Sequence, residues 1–198
     1  MIKPGMGTRT LFAGVDIESH PDVVWQTLTD YDGLGDVVPS LAVNKCLERH
    51  DRGCLLEQVG EQDVALGKKF RARVILEIME HVGGIPDSLL NLDGKQGKDG
   101  QNEDPFPTPQ SPDGLSNTRD ISFKMVEGDF TRFQGVWRVQ ADREGRTRLS
   151  YAVAVTPQVW LPVALVEGRI ASEIKRNLGA VKLHAERLAQ AEMRVVGV

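Results

Sequence analysis

Cysteine is scarce in this chain, with two among 198 residues, and aromatic side chains make up only 6%. No apolar run approaches the roughly 18 residues that a membrane-spanning helix needs. The N-terminal stretch MIKPGMGTRT has no apolar core of the kind a secretion signal carries. Neither sign of charge dominates: 24 basic and 28 acidic residues leave a net charge of −4, which gives no general reason to expect nucleic acid as a partner. Cys46 and Cys54 have no histidine pair near them, so they form no zinc pattern. A hairpin turning near His50–Gly53 is expected to set Cys46 opposite Glu57 and Cys54 opposite Arg49, leaving both thiols free. Free thiols suit a reducing compartment, either cytoplasm or, after removal of a transit segment, an organelle matrix or plastid stroma.

Catalytic signatures are also missing. The four histidines fall at a helix start (His20), a turn (His50), a strand end (His81) and the outer end of the last helix (His184). Asp16, Glu57 and Glu77 read as outward-facing. No Ser/His/Asp or Cys/His order, phosphate-cradling glycine loop or metal-ligand spacing is present, and nothing calls for a cofactor or a metal.

What the chain does contain is strand alternation. TLFAGVDIES sets Leu11, Ala13, Val15 and Ile17 against Phe12, Gly14 and Asp16. HPDVVWQTLTDYD follows as a helix, with Pro21 at its first turn and Val24, Trp25 and Leu28 as its apolar stripe. GLGDVVPSL allows one more short helix that stops at Pro39. Strands are then expected over Val43–Arg49, Cys54–Val64 and Lys68–Glu80. In the third, Phe70, Ala72, Val74, Leu76 and Ile78 share one face while Arg71, Arg73 and Glu77 share the other. Such strands belong to an antiparallel sheet with one wet face.

Gly83–Thr118 interrupts this pattern. It holds six glycines, five prolines, six acids and two lysines, and the rest of the chain carries 22 charges of each sign. A composition so poor in aromatic and β-branched residues buries too little area to order itself, so 83–118 reads as a flexible insertion inside a single domain spanning 8–192. Three more strands follow, with Ile121, Phe123 and Met125, then Phe133, Trp137 and Val139, then Tyr151, Val153 and Val155 each sharing a face.

Beyond Pro162 a stripe of apolar residues falls at Val163, Val166, Ile170, Ile174, Leu178, Val181, Ala185 and Leu188. This helical period persists for about 27 residues, a rod of roughly 40 Å. The order is one strand, two short helices, six strands and one long helix. A rod laid across a curved sheet meets it poorly along its whole length, so either bulky side chains fill the difference or a cavity remains. Gly168 and Gly179, inside the helix, either leave room there or mark close backbone approach.

VDIESHPDVVWQTLTDYDGLGDVVPSL, VEGDFTRFQGVWRVQ and LSYAVAVTPQVWLPVALVEGRIASEIKRNL together resemble the polyketide cyclase/dehydrase and lipid-transport superfamily, the START-like helix-grip proteins. The branch they resemble most includes the coenzyme-Q-binding proteins. The resemblance covers nearly the whole chain apart from the insertion and both termini. It implies an α+β helix-grip fold: a curved, seven-stranded antiparallel sheet around the C-terminal helix, with an apolar tunnel between them. It also implies a hydrophobic ligand such as a lipid, an isoprenoid quinone or a polyketide. Most members bind, and some catalyse.

Each candidate site residue carries two readings. Phe70, Val74, Phe123, Met125, Phe133, Trp137, Tyr151 and Val153 on the strands, with Ile170 and Ile174 on the helix, are either core or cavity wall. The Tyr151 hydroxyl would be the polar contact that orients a ligand. Arg169, beside Glu167, is either solvated or turned inward to hold a carboxylate or carbonyl. Trp160 and Leu161 are either a plug on the sheet's end or a tunnel mouth that touches a bilayer transiently. The resulting expectation is a carrier or chaperone for a hydrophobic small molecule. The alternatives are a polyketide cyclase or dehydratase, and an assembly factor using the same surface for protein contact. Oligomeric state is left open.

Overall fold

The structure is a computed structural model and describes residues 8–64, 68–86, 89, 117–142, 144–158 and 163–196, without the side chains of 62–64, 68–70, 163–169, 193 and 195–196. The chain runs β1 (Arg9–Ile17), α1 (Pro21–Thr29), α2 (Leu34–Val37), β2 (Leu41–His50), β3 (Gly53–Val64), β4 (Lys68–His81), β5 (Thr118–Gly128), β6 (Phe130–Ala141), β7 (Thr147–Pro157) and α3 (Val163–Val196). The expected element order is the observed one. Most of the 83–118 stretch lies outside the described residues.

All seven strands form one curved antiparallel sheet in the order β1-β7-β6-β5-β4-β3-β2. Strands β2 to β7 are a meander of sequential hairpins, and β1 crosses to pair with β7. Local chemistry sets several of the junctions. His20 caps α1 by accepting from the Asp22 amide at 3.3 Å, and Pro21 supplies the fixed φ of a first turn. The β2–β3 turn needs Gly53, whose φ of +144° is open only to glycine and whose missing Cβ would overlap the Ile78 carbonyl.

Register corrects one expectation. Cys54 stands opposite Arg49 as foreseen, but Cys46 stands opposite Leu56, not Glu57, because the ladder slips between Cys46 and Glu48. A bulge adds one residue to one strand and flips the alternation beyond it. Both thiols are free.

The core lies between the concave face of the sheet, α1 and α3. Ile174, Leu178, Val181 and Ala185 bury their side chains there, whereas Ile170 is half-buried and Leu188 is 41% exposed. The inward stripe of α3 therefore ends at Ala185, and the 34-residue helix runs on past the sheet. Two polar contacts fix this end: Lys182 Nζ donates to the Asp16 carbonyl at 2.6 Å, and the Glu18 amide donates to Glu186 Oε1 at 2.9 Å.

The convex face is not uniformly wet. Asp120, Ser122, Gln134, Arg138, Gln140 and Ser150 point away from α3 yet are all buried. Arg138 grips Asp120 with two hydrogen bonds of 2.9 Å, and the Ile85 amide donates to the same carboxylate at 2.9 Å. Beside them His81 Nε2 lies 2.9 Å from Ser122 Oγ. Polar alternation reads as a solvated face in sequence, but hydrogen-bonded polar groups can be buried equally well.

Two outcomes follow. Removing Asp120 as Asp120→Ala strands a buried guanidinium, which should cost about 3–5 kcal/mol in denaturant unfolding; adding Arg138→Met should return most of it. Equal losses in the single and double variants would show that the ion pair is not the cause. Burial also holds the His81 imidazole below its usual pKa of 6.5. The unfolded chain then takes up the proton first, so the stabilisation is complete above about pH 6.5 and fades as pH falls through the folded pKa. Melting midpoints at pH 7.5 and 5.5 should differ less in His81→Gln than in the parent protein.

Candidate functional site

Alternation along β5, β6 and β7 brings Phe123, Phe133, Trp137 and Tyr151 to the concave face, and the register shift between Phe130 and Arg132 brings Phe130 to the same side. Their centre is a residue with no side chain. Gly135 of β6 sits between Val153 and Phe123 in the ladder. A Cβ there would come within 2.2 Å of the Ala152 carbonyl and 2.4 Å of the Phe123 ring. The Phe123 ring thus occupies the space that a side chain at 135 would take. From that position it reaches Phe133 at 5.6 Å and Tyr151 at 5.7 Å between centroids. Tyr151 continues to Trp137 at 4.3 Å, and Phe133 to Phe130 at 5.4 Å. These spacings are those of mutually attractive ring pairs.

Burial is uneven over this floor. Phe123 and Val153 are buried, and Tyr151 is 9% exposed. Trp137, Phe133, Phe130 and Met125 are only partly buried, although they face α3 from central strands. Ile170 on the facing helix is half-buried as well, while Val181 and Ala185 further along are fully buried. Contact is thus complete around Val181–Ala185 and incomplete towards Ile170. At Gly179 an added Cβ would meet nothing within 4 Å, so this glycine leaves room and does not mark close approach.

Of the residues expected to line the site, the structure gathers Val74, Phe123, Met125, Phe133, Trp137, Tyr151, Val153, Ile170 and Ile174 around the one core. The backbone of Phe70 pairs with Gln62 on the same alternation, but its side chain and that of Arg169 lie outside the described residues, as do Trp160 and Leu161.

Polar groups enter this apolar face at two places. The Tyr151 hydroxyl is one. It makes no hydrogen bond among the described residues, and burial alone raises its pKa above the ordinary phenol value, so it stays protonated and able to donate. The other lies across the sheet, where Tyr31 Oη donates to Glu80 Oε1 at 2.7 Å. Burial, then the Glu80 hydrogen bond and charge, push the Tyr31 phenol pKa upward. Asn44 holds the Tyr31 carbonyl, and Gln58 Nε2 donates to Asn44 Oδ1 at 2.8 Å. Ser40 Oγ lies 2.9 Å from Asn177 Oδ1, tying the start of β2 to α3.

Sequence reasoning missed Tyr31, Asn44, Gln58 and Glu80. The signal for Glu80 was present: it continues the series Val74, Leu76, Ile78 at the same two-residue step, but its charge makes it look like the end of the apolar face.

This arrangement can hold an apolar molecule and address it with hydrogen bonds. Nucleophilic chemistry is poorly served at Cys54, whose thiol pKa is pushed up to about 12, first by burial and then by Cys46. Among the described residues, no cluster of three or more His, Cys, Asp and Glu could hold a metal ion, and no helix is long and apolar enough to cross a membrane.

Solved structures share the architecture. A START superfamily protein from Mycobacterium smegmatis aligns with a TM-score of 0.60 and 12% identity, covering 92% of this chain and 99% of its own. The Zhui aromatase/cyclase from Streptomyces sp. R1128 gives 0.61 and 14%, covering 91% and 95%. A STAR-related lipid transfer protein from Xanthomonas axonopodis gives 0.61 and 12%, covering 93% and 96%. At such identities the likeness concerns the fold. No curated protein matches the sequence. A family model does: the one describing polyketide cyclase/dehydrase and lipid transport matches residues 17–182, and the chain belongs to that family.

Proposed function

We propose that this protein binds a hydrophobic small molecule between the concave face of the sheet and the N-terminal half of α3, and acts as its carrier or chaperone. One observation carries this reading: Trp137, in a central strand and facing the helix, is not fully buried. Tryptophan alone is rarely fully buried, but Phe133, Phe130, Met125 and Ile170 are partly open with it while Val181 and Ala185 are fully buried, which fits a core left unfilled at that end. The aromatic floor would supply apolar contact at roughly 25 cal/mol per Å² removed from water. The Tyr151 hydroxyl, without a partner among the described residues, would supply direction by donating to the ligand. A prenylquinone, another isoprenoid or a lipid with a carbonyl near one end has the matching chemistry. The likeness of the fold to a lipid transfer protein and to an aromatase/cyclase supports a ligand of this general kind.

Native mass spectrometry after gentle purification should show an added hydrophobic mass at close to one per chain. A chain that is always bare, and that takes up no lipid or quinone when offered one, would overturn the proposal. The two aromatic residues give a sharper check. Tyr151→Phe should leave the melting midpoint unchanged or slightly raised, because the hydroxyl has no bond to lose among the described residues, and should weaken capture of a carbonyl-bearing ligand several-fold. Trp137→Ala should cost well under the about 3–5 kcal/mol typical of a fully packed tryptophan while lowering ligand affinity at least tenfold. The opposite pattern, with severe unfolding, would make Trp137 core.

A further inference from the structure

The register of the sheet sets Glu80 and Tyr151 on one transverse row. Reading across the strands, Ala13 pairs with Tyr151, Tyr151 with Trp137, Trp137 with Ile121, and Ile121 with Glu80. Side chains in one such row point to the same face, so Glu80 lies on the concave side with Trp137 and Tyr151. Three strand spacings separate the backbones of Tyr151 and Glu80, about 14 Å. Ile121 and Trp137 make the stretch between them apolar and aromatic.

Glu80 is half-buried, and one of its oxygens accepts from Tyr31 at 2.7 Å. Its other oxygen, Oε2, has no partner among the described residues. Arg49, whose guanidinium stands 5.7 Å over the Tyr31 ring, is not its counter-ion; that arginine pairs with Asp32 at 2.8 Å. Tyr31 is itself held by the Asn44 side chain, which Gln58 holds in turn. The carboxylate is therefore oriented by a supported donor on one side and left open as an acceptor on the other. A half-buried carboxylate with a free oxygen gains from a donor brought to it.

We infer that Glu80, positioned by Tyr31, is a specificity-determining acceptor, and that the ligand is a flat, mostly apolar molecule with a carbonyl at one end and a hydroxyl donor at the other. This rests on the proposed binding between sheet and helix and adds to it the ligand's polarity. Tyr151 donates to the carbonyl, the partly open Trp137 lies against the ring system, and Glu80 Oε2 takes the hydroxyl hydrogen. A simple fatty chain, with one polar end, would leave Glu80 unmet and would be disfavoured.

The test uses the full chain and two probes differing in one proton donor, 6-hydroxy-2-acetylnaphthalene and its 6-methoxy ether, followed by probe fluorescence at pH 6.5. The parent protein should bind the hydroxyl probe about tenfold more tightly than the ether, the size of one hydrogen bond to a charged acceptor. Glu80→Gln keeps a carbonyl oxygen for Tyr31 and should erase that preference. Tyr31→Phe, which frees the carboxylate to turn, should reduce it. Equal affinity of the parent protein for both probes, or a preference that survives Glu80→Gln, would overturn the role of Glu80 while leaving ligand binding itself intact. Failure of both probes to bind at any concentration would overturn both readings. Equal affinities in the parent overturn the inference without any variant, so it stays falsifiable even if a substituted chain does not fold.

Discussion

A straight rod and a curved sheet can be in close contact over only part of their common length, and this geometric conflict governs the protein. The chain resolves it at one end. Lys182 and Glu186 tie α3 to the backbone at the end of β1, and Val181 and Ala185 are fully buried beside them. Away from that anchor the inward side chains become progressively more accessible, and Ile170 is only half-buried. The loosened packing proposed to hold a ligand is thus a by-product of where the helix is fixed. It needs no special opening residues, only a secure attachment elsewhere.

The sheet contributes by limiting its own bulk. Gly135 gives up a side chain so that the Phe123 ring can lie across β6, and this places one ring within reach of both Phe133 and Tyr151. The result is a broad, stiff surface made from few residues in a chain with only 6% aromatics. Stiff rings lose little freedom on contact with a ligand, so more of the contact energy remains for binding. The polar groups are used sparingly on this face, and they are placed at the margins of the aromatic area: Tyr151 on β7 and the Tyr31–Glu80 pair at β4.

Much of this could be read from the residues. Strand alternation and the helical period located every element, because both are set by which face must leave water, and the resemblance correctly indicated the fold. Three things were hidden. The slip between Cys46 and Glu48 depends on how two strands pair, which alternation in one strand cannot reveal. The burial of Asp120 and Arg138 on the convex face was hidden because a polar side chain reads as wet until its partner, 18 residues away, is known to lie across the ladder. Glu80 was missed because charge was taken as a sign of solvent, though its position in the alternation said otherwise. The extent of α3 was underestimated for a related reason: beyond Ala185 no sheet lies beneath it, so Leu188 keeps the helical period without the burial.

The pairing of β1 with β7 has a consequence for how the molecule forms. Thr8 and Thr156, hydrogen-bonded in the finished sheet, stand 148 residues apart in the chain. During synthesis β1 emerges first and has no neighbour until almost everything else has been made, and the α3 anchor at Asp16 comes later still. Such distant closure slows folding and leaves an alternating strand, with Phe12 on one face and Leu11 and Val15 on the other, waiting without a partner. The apolar positions of β1 stay without their strand partner until β7 has been made.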